Sequence, residues 1–180
     1  MVMETRFDPA LVTLSVLVAI LASYVALNLA NNVTQTKGRQ QLIWLGAGAL
    51  AMGVGIWSMH FIGMLAFEMP GMAMAYDVPL MILSMVVAVV ASALALFIVS
   101  RETVPIGSQI SGGIAMAAAI AGMHYIGMYS MRMEATILWS VPWVVTSVLI
   151  ALGASFGALF ILIRLRDKTD HFWQLFGAGI

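Results

Sequence analysis

Two histidines stand in matching surroundings. Residues 51–64 read AMGVGIWSMHFIGM and residues 115–128 read AMAAAIAGMHYIGM, with eight of fourteen positions identical. Apolar helices draw on a small alphabet and resemble one another by chance. Histidine lies outside that alphabet, so a shared Met-His-aromatic-Ile-Gly-Met block points to an internal duplication. On an α-helix positions i and i+4 share a face, which puts Met64 with His60 and Met128 with His124. Met59 and Met123 sit about 100° round the helix, flanking that face. Thioether sulfur is soft and favours Cu(I), and imidazole binds copper as well as zinc, iron and nickel. One or two histidines with several methionines therefore select copper over hard ions; zinc more often recruits cysteine or carboxylate. The candidate metal ligands are His60, Met64, His124, Met128, Met59 and Met123. Haem ligation by the two histidines is one alternative, and copper transport across a membrane is another.

The remaining chemistry is sparse. The chain has fifteen methionines and no cysteine, which excludes disulfides, thiolate metal sites and thiol catalysis. Met69, Met72 and Met74 fall in one short connection and Met131 and Met133 in another, where they would suit capture of a soft metal. Met52, Met81, Met85 and Met116 read as packing residues. Transport would need polar or methionine positions continuing to the opposite face, and below the motifs the second and fourth helices offer only Met52 and Met116. His171 reads as a loop residue, and Glu68 and Glu134 as solvated residues after the motifs. Net charge is zero, so nothing favours nucleic acid. No nucleophile–base arrangement, phosphate loop or carboxylate pair is present, and an enzyme is not expected.

The motifs must be positioned by membrane helices. The 180 residues are 62% hydrophobic and 9% charged, against roughly 25% charged in soluble domains. The charges are clustered, leaving uncharged stretches at 9–36, 40–67, 78–100, 103–131 and 135–163. Each can cross a bilayer core of about 30 Å, which needs roughly 20 residues. The expected fold is an all-α polytopic transmembrane bundle of repeated helical hairpins. Its five full helices are expected at Ala10–Ala30, Leu42–Phe67, Val78–Ser100, Ile106–Met128 and Pro142–Ile163, with the start of a sixth near Phe172. Asn28, Asn31 and Asn32 mark the expected inner end of the first helix. Gly46 and Gly53 before His60, and Gly113, Ala117 and Ala121 before His124, form small-residue stripes of the kind that let membrane helices approach closely. The histidines are thus expected to face neighbouring helices.

Charge sets the expected orientation. Lys37, Arg39, Arg101, Arg164, Arg166 and Lys168 share one side, and Arg6 and Arg132 the other. The positive-inside rule puts the larger group in the cytoplasm. The N-terminus and both motifs then face the periplasm of a bacterial inner membrane. Trp57, Trp139 and Trp143 fall near the outer interface and Trp44 and Trp173 near the inner one. His60 and His124 are 64 positions apart (124 − 60), the length of a helical hairpin. One more unit reaches position 188, and Gly177 to Ile180 resemble Gly46 to Ala49. A domain over 1–180 that lacks a third motif at its C-terminal end is the expectation.

The blocks Trp57-Ser58-Met59-His60-Phe61-Ile62-Gly63-Met64 and Gly122-Met123-His124-Tyr125-Ile126-Gly127-Met128 resemble those of the bacterial MHYT domain family, named for Met-His-Tyr-Thr. Here Ile62 and Ile126 replace the threonine and Phe61 the tyrosine, leaving the proposed ligands untouched. Ser23-Tyr24-Val25-Ala26-Leu27-Asn28 resembles the family's first helix. The resemblance implies a membrane sensor that binds copper through the motif's Met and His and responds to oxygen, carbon monoxide, nitric oxide or redox state. It also implies a cytoplasmic output domain that makes or breaks cyclic di-GMP. The expected partners are the lipid bilayer, copper, a diatomic gas, that output domain in a longer chain, and a second copy in a homodimer.

Overall fold

The structure, a computed structural model, describes residues 6–69, 73–101, 103–134 and 136–165, except the side chains of Leu27, Leu162 and Leu165. Five helices carry it: α1 (Pro9–Gln35), α2 (Arg39–Leu65), α3 (Val78–Val99), α4 (Ile106–Tyr129) and α5 (Val141–Leu165). The shortest has 22 residues, about 33 Å at 1.5 Å per residue, enough for a bilayer core. All five are long and apolar enough to cross a membrane, and the chain is a multi-pass membrane protein. Large apolar side chains stay exposed along them, among them Leu17, Ile20 and Leu21 on α1 and Leu149 and Ile150 on α5. A water-soluble bundle would hide so continuous an apolar surface; hydrocarbon accommodates it.

Consecutive helices pack side by side, with lighter contacts between α2 and α4. The buried core gathers Ala30, Met52, Leu96, Val99, Met116 and Leu159, toward the end remote from the histidines. Close approach is enforced where side chains are missing. A Cβ on Gly53 would come 2.4 Å from the Val89 Cα, so glycine there sets the α2–α3 spacing. Gly46 was expected to act likewise, but nothing lies within 4 Å of its Cβ position, and its side of the helix is open.

The spans agree with the uncharged stretches, and the ends are set by polar groups. The Asp8 carboxylate accepts from the Ala10 and Leu11 N–H groups at 2.8 and 3.4 Å, with Pro9 opening α1. The Asp77 carboxylate accepts from the Leu80 N–H at 3.2 Å, with Pro79 near the start of α3. Both are favourable N-cap arrangements. The C-terminal end of α1 departs from expectation: the helix runs to Gln35, five residues beyond Ala30. Asn28, Asn31 and Asn32 lie inside it, where the Asn28 amide donates to the Tyr24 carbonyl and the Gln35 amide to the Asn31 side chain. The side-chain hydrogen bonds of Asn28 and Asn31 stay within the helix and do not cap its end.

Four two-residue strands join the helices at the motif end. β1 (Arg6–Phe7) pairs antiparallel with β2 (Phe67–Glu68), and β3 (Ala75–Tyr76) with β4 (Met131–Arg132). The Asp8 N–H donates to the Ala66 carbonyl at 2.8 Å, and the Asp77 N–H to the Ser130 carbonyl at 2.7 Å. Each motif helix is thus tied, just past its last turn, to the start of the helix before it. The duplication is visible in this device as well as in the motif. The expected sixth helix, Met72, His171 and Trp173 lie outside the described residues.

Candidate functional site

α2 and α4 end at the same face, and their motifs meet there. The His60 and His124 rings are 4.9 Å apart between centroids, tilted by 57°. Their approach depends on Gly127, since a Cβ at that position would stand 3.0 Å from the His60 Nε2. That Nε2 is buried with no hydrogen-bond partner. Buried polar nitrogens almost always have a partner, so its isolation leaves one donor or acceptor position to be filled.

The two rings border a cavity of about 570 Å³. Six methionines line it: Met59 and Met64 from α2, Met128 from α4, and Met69, Met131 and Met133 from the connections. Phe7 and Phe67 line it from the β1–β2 pair, their rings edge to face at 5.5 Å. Ser15 reaches in from α1, its hydroxyl donating to the Met59 carbonyl at 2.8 Å. Of the six candidate ligands, five line this cavity. Met123 is buried at 3% exposure and is not among the lining residues. Neither Glu68 nor Glu134 lines the cavity, and both are exposed. Among the described residues no three His, Cys, Asp or Glu side chains cluster. The convergent donors are imidazole nitrogen and thioether sulfur.

The aromatic residue after each histidine braces its helix. Phe61 stacks on Trp57 at 5.2 Å and meets Tyr76 edge-on at 4.9 Å. Trp57 is turned into the bundle, donating from Nε1 to the Ser84 hydroxyl at 3.0 Å. Interhelical bonds of this kind are worth about 0.6 kcal/mol in membranes. Tyr125 contacts the His124 ring at 5.1 Å and Trp139 at 5.4 Å, and its hydroxyl hydrogen-bonds the Ser147 hydroxyl on α5. Outside the spans, Arg132 donates to the Asp77 carboxylate at 2.7 Å. That hydrogen bond, with the one from the Leu80 N–H, holds the Asp77 pKa below the ordinary carboxylate value. Burial pushes the Tyr76 phenol pKa up.

Sequence reasoning did not single out Ser15, Phe7 or Phe67. Phe7-Asp8-Pro9 and Tyr76-Asp77-Val78-Pro79 carry the signal that could have led to Phe7: an Asp N-cap before an early proline marks a helix start, and its doubling would have tied the N-terminus to the motif face.

The sequence matches the family model described as "MHYT: Bacterial signalling protein N terminal repeat" over residues 1–44, 53–112 and 118–174. The second and third segments contain His60 and His124. Over 165 residues the chain is 48% identical to the bifunctional diguanylate cyclase/cyclic di-GMP phosphodiesterase MucR of Pseudomonas aeruginosa, covering 92% of this chain and 24% of that protein. It is 36% identical over 180 residues to the signaling protein YkoW of Bacillus subtilis, covering all of this chain and 22% of that protein. It is 39% identical over 164 residues to the cyclic di-GMP phosphodiesterase NbdA of Pseudomonas aeruginosa, covering 91% and 21%. The chain spans about a quarter or less of these relatives. No solved structure matches it.

Proposed function

Because this chain belongs to the MHYT family of bacterial signalling proteins, we propose that it is a membrane sensor domain whose His60–His124 cavity binds copper at the periplasmic face and detects a diatomic gas or redox state. The carrying observation is the pair of imidazoles 4.9 Å apart beside a cavity walled by six methionines. The donor set fits the ion: soft sulfur and imidazole favour copper, and the orphaned His60 Nε2 supplies a nitrogen without a competing partner. His60, His124, Met64, Met128 and Met59 would hold the metal, with Met69, Met131 and Met133 within the same wall. Met123, outside the cavity, has no ligand role in this reading. Bound copper would supply a one-electron centre with affinity for oxygen, carbon monoxide or nitric oxide. The protein's own part is to keep two imidazoles and a shell of thioethers together at the ends of two clasped helices.

Haem is the less favoured cofactor. Two histidines ligating one haem stand on opposite faces of a porphyrin, and rings this close leave no room for the macrocycle between them. The names of MucR and NbdA suggest the output: a domain in a longer chain, on the cytoplasmic side, that makes or degrades cyclic di-GMP. Purified protein loaded with copper and desalted tests the reading by metal analysis and visible spectroscopy. Retained copper near stoichiometric amounts with no Soret band is expected. A stoichiometric Soret band, or no retained copper, contradicts it.

A further inference from the structure

Each motif helix is joined to the helix after it by a relay of two hydrogen bonds through a serine. On α4 the Tyr125 hydroxyl bonds the Ser147 hydroxyl of α5, and Ser147 donates to the Val144 carbonyl at 2.8 Å. Serine has one hydrogen to give, so Tyr125 is the donor. On α2 the Trp57 Nε1 donates to the Ser84 hydroxyl of α3 at 3.0 Å, and Ser84 donates to the Met81 carbonyl at 2.8 Å. The acceptors match. α3 opens Val78-Pro79 and α5 opens Val141-Pro142, and Ser84 and Ser147 are each the seventh residue of their helix. The donors trade places. Phe61, which corresponds to Tyr125, has no donor, and Ala121, which corresponds to Trp57, has none either. The two donor positions are one turn apart and share a helix face.

We propose that Tyr125 and Trp57 are positioning residues: through Ser147 and Ser84 they fix the rotation of α4 and α2 about their axes, and with it the separation of the His60 and His124 rings. The proposal rests on the copper reading above only for what that separation serves; the positioning itself is a property of the metal-free chain.

Neither donor is a candidate ligand. The Tyr125 hydroxyl and the Trp57 N–H are committed to the serines, and neither residue lines the His/Met cavity. They act through their helices, and the Tyr125 ring also meets the His124 ring edge-on at 5.1 Å. Viewed down the axis, Tyr125 lies about 100° from His124 and Trp57 about 60° from His60, in the same sense. Each histidine is thus turned off the face that grips the next helix. α4 is largely alanine and glycine from Gly112 to Gly122, a smooth surface with few side chains to lock its rotation. A hydrogen bond is directional and supplies an angular reference. A histidine tip stands about 5–6 Å from its helix axis, so a rotation of about 20° moves it by about 2 Å. Against a ring separation of 4.9 Å, that displacement decides whether the two imidazoles can share one ion.

Removing one hydrogen bond at a time tests this. Tyr125→Phe and Trp57→Phe delete the donors and keep an aromatic ring. Ser147→Ala and Ser84→Ala cut the same relays at the acceptor and stand in where a donor variant fails to fold. Ser92→Ala is the control: the buried Ser92 hydroxyl donates to the Ala88 carbonyl of its own helix at 2.9 Å, so its loss removes a hydrogen bond but no relay. In metal-free protein in nanodiscs, isotope-labelled histidine gives a nuclear Overhauser cross-peak between the His60 and His124 rings, whose intensity falls steeply with distance. The cross-peak should weaken several-fold in each relay variant. It should keep its strength in the control and in Ser147→Thr, which retains a hydroxyl. Tyr125→Phe combined with Ser147→Ala should weaken it no further than either alone, since both cut one relay. In copper-loaded protein the relay variants should bind copper several-fold more weakly, with the midpoint potential raised as thioether sulfur, which favours Cu(I), outweighs imidazole. Failure of unmutated protein to retain copper would count against the metal reading alone, because the cross-peak still decides the positioning. A cross-peak that persists when either relay is cut, that fades equally in Ser92→Ala, or that is absent from the unmutated chain overturns the proposal.

Discussion

At the scale of residues, the histidines outrank the methionines. His60→Ala and His124→Ala should each remove most of the bound copper. Met69→Leu or Met131→Leu should remove much less, since neighbouring thioethers can substitute for one another. Metal analysis after identical loading measures both; equal copper in the histidine variants and the parent would reduce the motif to a packing feature. Gly127 belongs to the same argument. Valine there intrudes on the His60 Nε2, which already sits 3.0 Å from the missing Cβ. Gly127→Val should therefore lower copper content while the protein still folds, as read by retained helicity. The ligand-type residues were legible because histidine and clustered methionine are rare enough in apolar helices to stand out. Met59 and Met123 were not separable by sequence, since each precedes its histidine by one residue. Only Met59 lines the cavity, because each motif helix meets different neighbours, and a repeat in sequence does not encode which side of each copy faces the shared space.

At the scale of elements, the clasps and one glycine govern how firmly the motif helices are held. In the Asp77–Arg132 pair the favoured form is the carboxylate, its pKa lowered first by the hydrogen bond from Arg132 and then by that from the Leu80 N–H. Its contribution is therefore complete above the ordinary carboxylate pKa and is lost as pH falls through the lowered one. Hydrogen exchange at the β3–β4 amides should accelerate in that acidic window, and Asp77→Asn should show no such step. Gly53→Ala forces a Cβ against the Val89 backbone, and overpacking of this kind costs about 1–3 kcal/mol. Denaturation in detergent should show the loss, whereas Gly46→Ala, with open space around it, should be near neutral. Helix spans could be read from uncharged stretches because hydrocarbon leaves the backbone few alternatives. Their ends could not: the asparagines near the end of α1 bond within the helix as readily as they would cap it, and two-residue strands are too short to carry a periodic pattern.

At the scale of the whole molecule, two clasped hairpins and α5 bring both motifs to one face, and that face is expected to be periplasmic. Thr136→Cys should react with a membrane-impermeant thiol reagent in intact cells, and Thr36→Cys only after lysis; the reverse pattern would invert the orientation and remove the premise of periplasmic metal capture. The architecture and the common face of the motifs were legible from hydropathy and duplication. The cavity was not, because it arises where α1 and two connections lean over the motif ends, a tertiary arrangement with no local signature. Copper K-edge X-ray absorption of the copper-loaded protein tests the soft-metal site most directly. Imidazole nitrogen together with thioether sulfur around copper is the expected result, with the imidazole signal and most of the metal lost in the His60→Ala/His124→Ala double variant. A shell of oxygen or nitrogen without sulfur, or a double variant that keeps its copper and its spectrum, would contradict it.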